Sequence, residues 1–283
     1  MIIFKTATAL QKYLNNQEAF PAKTGFVPTM GALHPGHVKL VQNSVSEQAI
    51  TVVSIFVNPT QFNDPSDFSN YPVTIEKDIQ MLEKAGCDIL FLPAVEEVYP
   101  GGIPARSQYD LGRLETLLEG FYRPGHFQGV CQVMDRLLHI VKAGHLYMGS
   151  KDYQQCMVIK KLIDHTGLSI QFHMVPTVRE ADGLALSSRN LRLDEGERKK
   201  AISIYGQFEY IRNNAELLPV AALQENAATH LLENGFHKVD YVAIADPTSL
   251  EPIAVIEKDK PFLVLVAAFI GKVRLIDNMQ MAI

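Results

Sequence analysis

The sequence predicts an α/β protein built on a doubly wound parallel sheet, followed by a smaller α+β domain. Three observations carry that expectation. Up to Pro176, short apolar runs alternate with amphipathic stretches, as in successive βαβ units. Several runs are apolar at consecutive positions, as in Thr51-Val52-Val53-Ser54-Ile55-Phe56-Val57, which fits strands covered on both faces. Beyond Pro176 the texture changes to a polar loop, long helix-like stretches and a few strands, so a domain boundary falls at 176–177.

Taken in order, Thr24–Thr29 reads as a strand ending in a turn. Val38–Ala49 follows as a helix with Leu40, Val41 and Val45 on one face, and Thr51–Val57 as the next strand. Ile75–Lys84 is helical with Gly86 as its stop, before a strand at Asp88–Leu92. The pattern recurs with a helix at Val130–Val141, a strand at His145–Met148, a helix at Tyr153–His165 and a strand at Ile170–Val175. Residues 1–176 thus form a Rossmann-like domain. Residues 177–283 hold helices at Asp194–Asn213 and Pro219–Asn234, and strands at Val239–Ala245, Phe262–Ala268 and Val273–Ile276.

Composition narrows the function classes. The 283 residues are 47% apolar and 20% charged, which is globular rather than disordered, and the formal net charge of −5 provides no global basic footprint for nucleic acid. The longest apolar run, Phe262–Ile270, is far short of the roughly 18 residues of a membrane span. The opening Met1-Ile2-Ile3-Phe4-Lys5 lacks the pattern of a signal peptide. Cys87, Cys131 and Cys156 are widely spaced and odd in number, so they read as buried apolar residues of a reducing compartment, and a cytoplasmic protein is expected.

The most informative segment is Pro28-Thr29-Met30-Gly31-Ala32-Leu33-His34-Pro35-Gly36-His37, which joins the first strand of the alternating pattern to its helix at the carboxyl edge of the sheet. Gly31 and Gly36 let backbone approach a ligand, and Pro35 stiffens the turn between the histidines. The helix start is expected to offer unpaired N–H groups to phosphate, and His34 and His37 to donate ring N–H bonds as a leaving group departs. Two other readings stay open: a His-x-x-His metal pair, which lacks a carboxylate partner nearby, and rings that simply cap and pack. No Gly-x-x-x-x-Gly-Lys-Ser/Thr or Gly-x-Gly-x-x-Gly loop is present.

Further along, Gln61 in Val57-Asn58-Pro59-Thr60-Gln61-Phe62 can read hydroxyls and a carboxylate, or face solvent. In Gly149-Ser150-Lys151-Asp152-Tyr153-Gln154-Gln155, Asp152 can cap the next helix and Lys151 can project a charge toward phosphates, or be a surface lysine beside an ordinary cap. Gln155 lies one helical turn on. Val178-Arg179-Glu180-Ala181-Asp182-Gly183-Leu184-Ala185-Leu186-Ser187-Ser188-Arg189-Asn190 reads as a loop hinged at Gly183 that folds over a triphosphate, or as a solvated turn into the Asp194 helix. Gly125-His126-Phe127-Gln128-Gly129-Val130 can line the site or an interface. His139, His145, His165, His173, His230 and His237 read as core or surface residues.

The Pro-Thr-Met-Gly-Ala-Leu-His-x-Gly-His string, with these segments in the same order, resembles the pantothenate synthetase (pantoate–β-alanine ligase) family of the His-x-Gly-His nucleotidyltransferases. His-x-Gly-His alone points only to an adenylate-forming or nucleotidyl-transferring site. The resemblance implies that His37, His34 and Lys151 are catalytic. It places Met30, Gly31, His34, Gly36, His37, Gly149, Ser150, Lys151, Asp152, Val178, Leu186, Ser187, Ser188 and Arg189 at ATP. It places Gln61 and Gln155 at pantoate, with β-alanine entering beside Gln61. It further implies Mg²⁺ at the β- and γ-phosphates, a homodimer, a pantoyl-adenylate intermediate and release of AMP and pyrophosphate. Leu186 stands where the family commonly has Met, Ser150 where a longer polar or acidic residue is common, and Val73 where many relatives carry Arg. The first swap is near-isosteric, and the last puts an anion contact at that position in doubt.

Overall fold

A computed structural model describes residues 1–62, 68–69, 71–102 and 109–283. The chain divides into two compact units. One comprises residues 1–150 and 154–176, the other residues 151–153 and 177–283.

The first unit begins with a short strand β1 (Ile2–Phe4) and a helix α1 (Ala7–Leu14). Strand β2 (Thr24–Thr29), helix α2 (Pro35–Glu47) and strand β3 (Ile50–Ile55) follow. Next come α3 (Ile75–Lys84), β4 (Ile89–Phe91), and the short helices α4 (Val95–Val98) and α5 (Leu118–Tyr122). Helix α6 (His126–Val141), strand β5 (His145–Gly149), helix α7 (Tyr153–Thr166) and strand β6 (Gln171–Val175) complete it.

The six strands form one sheet in the order β1-β4-β3-β2-β5-β6, and every neighbouring pair is parallel. Both faces are covered, which is why the strands lack polar alternation. Phe26, Val52, Ile89, Phe91 and Leu146 pack with Leu10 and Leu14 of α1, Cys131 and Leu138 of α6, and Ile159 of α7. Their neighbours Val27, Val53, Leu90 and Tyr147 turn to the opposite face, with Leu40 and Val41 of α2 and Leu82 of α3. Gly25 is needed there, because a side chain on it would collide with Ser44 of α2. The three cysteines are buried thiols, with burial pushing those of Cys87 and Cys131 up to about 12.

The second unit contains α8 (Glu195–Ala201), α9 (Ser203–Asn214), α10 (Val220–Glu233) and an antiparallel sheet β7 (Lys238–Ala245), β8 (Phe262–Ile270), β9 (Val273–Met281). Ile204, Phe208 and Ile211 of α9 and Leu223 and Leu231 of α10 form its core with Val242, Ile244, Val264 and Val266. The helix expected over Asp194–Asn213 is divided at Ile202, whose own backbone stays in the right-handed helical region. Asp194 caps it, accepting from Glu197 N at 2.7 Å while Glu197 accepts from Asp194 N at 3.0 Å.

The boundary read from sequence puts residues 151–153 in the first domain, whereas their contacts place them in the second. Asn278 of β9 donates to the Lys151 carbonyl at 2.7 Å, and Tyr153 donates its hydroxyl proton to the Pro247 carbonyl at 2.9 Å. Among the described residues, no helix is long and apolar enough to cross a membrane.

Candidate active site

The chain runs from β2 outward to β3 and β4, then returns to place β5 on the other side of β2. The crevice outside the carboxyl ends of β2 and β5 is therefore the switch point where open parallel sheets bind ligands. The Met30–His37 loop leaves β2, and Gly149 and Ser150 leave β5. A side chain on Gly149 would meet nothing within 4 Å, so open space faces its Cα.

Helix α2 begins at Pro35, three residues before the sequence reading, because His34 is its N-cap and Pro35 suits the first helical position. His34 Nδ1 accepts from Gly36 N at 3.2 Å, and His37 Nδ1 accepts from His34 N at 3.4 Å. Their ring centroids lie 4.0 Å apart. The rings do cap, as one open reading had it, and capping complements donation. With each Nδ1 accepting, the proton of a neutral ring sits on Nε2, which makes that atom the donor of each imidazole. The expectation of unpaired helix-start amides needs correcting. The N–H groups of Gly36, His37 and Val38 are all bonded to His34, through its Nδ1 or its carbonyl.

The rest of the loop is held by a residue the sequence reading missed. Asp78, fully buried on α3, accepts from Ala32 N at 2.9 Å, Leu33 N at 2.8 Å and Thr74 Oγ1 at 2.9 Å. Gly31 N donates to Thr29 Oγ1 at 3.2 Å. Gly31 (φ 80°) and Ala32 (φ 48°) are both left-handed, so this anchored turn carries strain at a non-glycine position. One signal was available: Ile75, Asp78, Ile79 and Leu82 share one helical face, and that face is apolar apart from Asp78.

Gln61 closes a 3-10 turn, Pro59–Gln61. Its Nε2 lies 3.1 Å from Met30 Sδ, and its Oε1 accepts from Asn58 Nδ2 at 3.1 Å. Buried Asn58 also donates to the Gly129 carbonyl at 3.2 Å and accepts from Tyr99 Oη at 2.9 Å. Gly129 sits inside α6, which starts at His126 rather than Val130. A side chain on Gly129 would strike the Thr60 carbonyl. His126 Nδ1 lies 2.8 Å from the Gln61 carbonyl, and Arg123 Nη1 lies 3.0 Å from His126 Nε2. Since arginine only donates, the ring is set with its proton on Nδ1, donating to Gln61. Gln128 bonds both backbone groups of Tyr109 and the Glu115 carboxylate, so the Gly125–Val130 segment is largely an internal brace. Gln155, half-buried on α7, has no side-chain hydrogen bond among the described residues.

In the second unit, the Lys151 side chain is only 16% exposed, so it is not an ordinary surface lysine. Its Nζ lies 3.4 Å from Asp152 Oδ1 in a 3-10 turn, Ser150–Asp152. The 178–186 segment is a closed hairpin rather than a hinged loop. Leu186 N bonds the Val178 carbonyl at 3.0 Å and Glu180 N bonds the Leu184 carbonyl at 2.9 Å. Gly183 (φ 92°) makes the tight turn, and a side chain there would enter the Tyr205 ring. Arg198 bonds Glu180 and Asp182 at 2.7 and 2.8 Å, holding the Asp182 carboxyl below its usual range despite some desolvation. Ser187 caps the 3-10 turn Ser188–Arg192, accepting from Arg189 N at 3.2 Å. Ser188 is buried, while Val178, Leu186, Ser187 and Arg189 are half-buried. Val73 is 73% exposed. Among the described residues, no group of three or more His, Cys, Asp or Glu side chains is placed to hold a metal.

A parallel α/β sheet with an imidazole-capped helix at its switch point defines a nucleotide-handling enzyme of the α/β class. Comparison with known proteins narrows this. Residues 2–280 match the model of the pantoate-β-alanine ligase family. The pantothenate synthetase of Bacteroides thetaiotaomicron is 40% identical over 280 residues, 99% of each chain. That of Thermotoga neapolitana is 42% identical over 282 residues, covering 98% of this chain and 99% of its own. The crystal structure of the Thermus thermophilus enzyme superposes with a TM-score of 0.90 at 40% identity, over 99% of both chains. The Francisella tularensis ligase, complexed with β-γ ATP and β-alanine, gives 0.84 at 37% identity, over 99% of this chain and 97% of that one. The chain belongs to the pantoate–β-alanine ligase family, and its activity is the ATP-dependent condensation of pantoate with β-alanine.

Proposed function

We propose that the condensation runs through pantoyl adenylate. A carboxylate oxygen of pantoate attacks the α-phosphorus of ATP, the bond from that phosphorus to the α,β-bridging oxygen breaks, and pyrophosphate leaves. The neutral amine of β-alanine then attacks the acyl carbon, the bond to AMP breaks, and the amine gives up a proton as pantothenate forms. Neither step requires an enzyme nucleophile, so this chain's work is positioning and charge stabilisation.

The observation that carries this reading is the paired capping of His34 and His37, which turns two Nε2–H donors into fixed parts of a helix start. We assign His37, His34 and Lys151 to charge on the phosphates. Met30, Gly31, Gly36, Gly149, Ser150, Asp152, Val178, Leu186, Ser187, Ser188 and Arg189 complete the ATP set, with Gln61 and Gln155 at pantoate. In this assignment residues 1–176 bind nucleotide and pantoate and residues 177–283 carry the ATP-covering segment. The Gln61 amide is oriented by Asn58, and the unpartnered Gln155 amide is available to a hydroxy acid. The described residues form no metal cage, so Mg²⁺ would arrive on the β- and γ-phosphates of the nucleotide, and no step is assigned to it. Three buried cysteine thiols suit a cytoplasmic enzyme. A homodimer, as the resemblance implies, completes the proposal, and light scattering checks it.

Product analysis tests the route. Incubation with ATP, pantoate and β-alanine is expected to yield AMP and pyrophosphate. Pantoate alone should support exchange of labelled pyrophosphate into ATP, and His37→Ala should abolish that exchange. ADP with inorganic phosphate would refute the adenylate.

A further inference from the structure

Residues 151–153 are bracketed by the first unit on both sides in sequence, yet they belong to the second by contact. The grip comes from two consecutive residues of β9. Asn278, buried, donates its amide N–H to the Lys151 carbonyl at 2.7 Å. Asp277, also buried, takes a two-pronged bond from Arg179, with Nη1 to Oδ2 at 2.6 Å and Nη2 to Oδ1 at 3.0 Å. The same guanidinium reaches the Gly183 carbonyl at 3.1 Å and the Asn278 carbonyl at 3.0 Å, and lies over the Tyr205 ring at 5.3 Å. Burial pushes the Asp277 carboxyl up, and Arg179, the Asn278 amide and the Lys151 ammonium all act against that push. One dipeptide therefore holds the backbone of the lysine turn and the arginine that closes the hairpin leading to Ser187, Ser188 and Arg189.

We propose that Asp277 and Asn278 are positioning residues for the nucleotide: Asn278 sets Lys151, and Asp277, through Arg179, sets the hairpin that presents residues 186–189. This rests on the assignment of Lys151 to the phosphates. Asn278 touches no reacting atom; it fixes where the Lys151 backbone stands, and hence the arc its ammonium sweeps. Losing this bond frees the Lys151 backbone and misdirects the ammonium it aims, so an effect of about tenfold is expected.

The test is a double-mutant cycle on the full-length enzyme. Asn278→Ala should lower kcat/KM for ATP about tenfold while KM for β-alanine holds. In a Lys151→Ala background it should add less than about twofold, because the group it acts through is gone. Asn278→Leu keeps a side chain branched at Cγ without the donor and should repeat the result, which covers the case in which the Ala variant folds poorly. Effects of Asn278→Ala and Lys151→Ala that multiply, or native ATP kinetics in Asn278→Leu, would overturn the inference. Native ATP kinetics in Lys151→Ala would instead overturn the assignment on which it rests.

Discussion

Asp78 offers the sharpest test of how the signature loop is shaped. It lies 45 and 46 residues from the amides it binds, is fully buried, and has no ion-pair partner among the described residues. Replacing it by Ala removes the charged acceptor from Ala32 N, Leu33 N and Thr74 Oγ1. At about 1.5–3 kcal/mol for each hydrogen bond to a charged group, the two backbone bonds alone amount to about 3–6 kcal/mol. Loss of the buried carboxylate's own desolvation penalty offsets part of this, so about 3 kcal/mol is the expected net loss, a large share of the 5–15 kcal/mol typical of a folded domain. Asp78→Asn is the finer probe. Its oxygen can still serve Leu33 and Thr74, but its NH₂ then faces Ala32 N–H, donor against donor, at the residue with φ 48°. About 2 kcal/mol should be lost, and turnover should fall about 100-fold as the loop bearing Met30 and His34 shifts. Urea unfolding gives the stability and steady-state assay the turnover. Wild-type midpoints and wild-type kcat in both variants would show that the loop does not depend on this carboxylate.

Gly129→Ala would bring a methyl group to 2.7 Å from Thr60 C and 2.9 Å from Gln61 Cα, and the backbone of that turn must yield. Overpacking of this kind costs about 1–3 kcal/mol, and because the displaced turn carries Gln61, kcat/KM for pantoate should fall at least about tenfold; an unchanged value would sink the assignment. A second expectation concerns pH. His173 is held below its ordinary 6.5 by burial, with His145 adding to the effect and Glu47 opposing it. It lies 2.9 Å from His145 Nδ1 and stacks on Tyr147, whose hydroxyl bonds Glu47 at 2.7 Å. The unfolded chain therefore binds this proton more readily. The stability tied to His173 is complete above about pH 6.5 and is lost as pH falls toward the folded value. Urea midpoints at pH 5 and pH 7.5 should differ by less in His173→Gln than in the wild type; an equal difference would place the dependence elsewhere.

Much of this architecture was legible because burial on both faces forces consecutive apolar residues. Strands β2, β3 and β5 stand out from any surrounding helix in just that way. The short β1 and α1 did not register, since three and eight residues carry little periodicity. Helix α2 starts three residues ahead of the expected Val38: histidine is not an ordinary cap, although Pro35 marks the first turn. Helix α6 starts at His126, four residues ahead of the expected Val130, with left-handed Gly125 as its cap and Gly129 inside it where the Thr60 backbone comes close. Long-range pairings were out of reach. Nothing local to Asn58 announces Gly129, 71 residues away, and nothing local to Lys151 announces Asn278.

The absence of a glycine-rich phosphate loop also has a structural reason. Such loops bind anions with main-chain N–H groups, and glycines let the amides turn outward. Here the amides turn inward. Gly31 N goes to Thr29, Ala32 N and Leu33 N to Asp78, His34 N to His37, and Gly36, His37 and Val38 N all to His34. Pro35 has no N–H to offer. With the backbone donors of Gly31–His34 and Gly36–Val38 engaged in holding the loop's own shape, the proposed assignment gives the phosphates to side chains, and the two imidazoles are bonded in a way that sends their protons to Nε2. The donors then sit on a turn braced from α3, where little reorganisation is needed as charge develops, which is the condition under which electrostatic stabilisation is most effective.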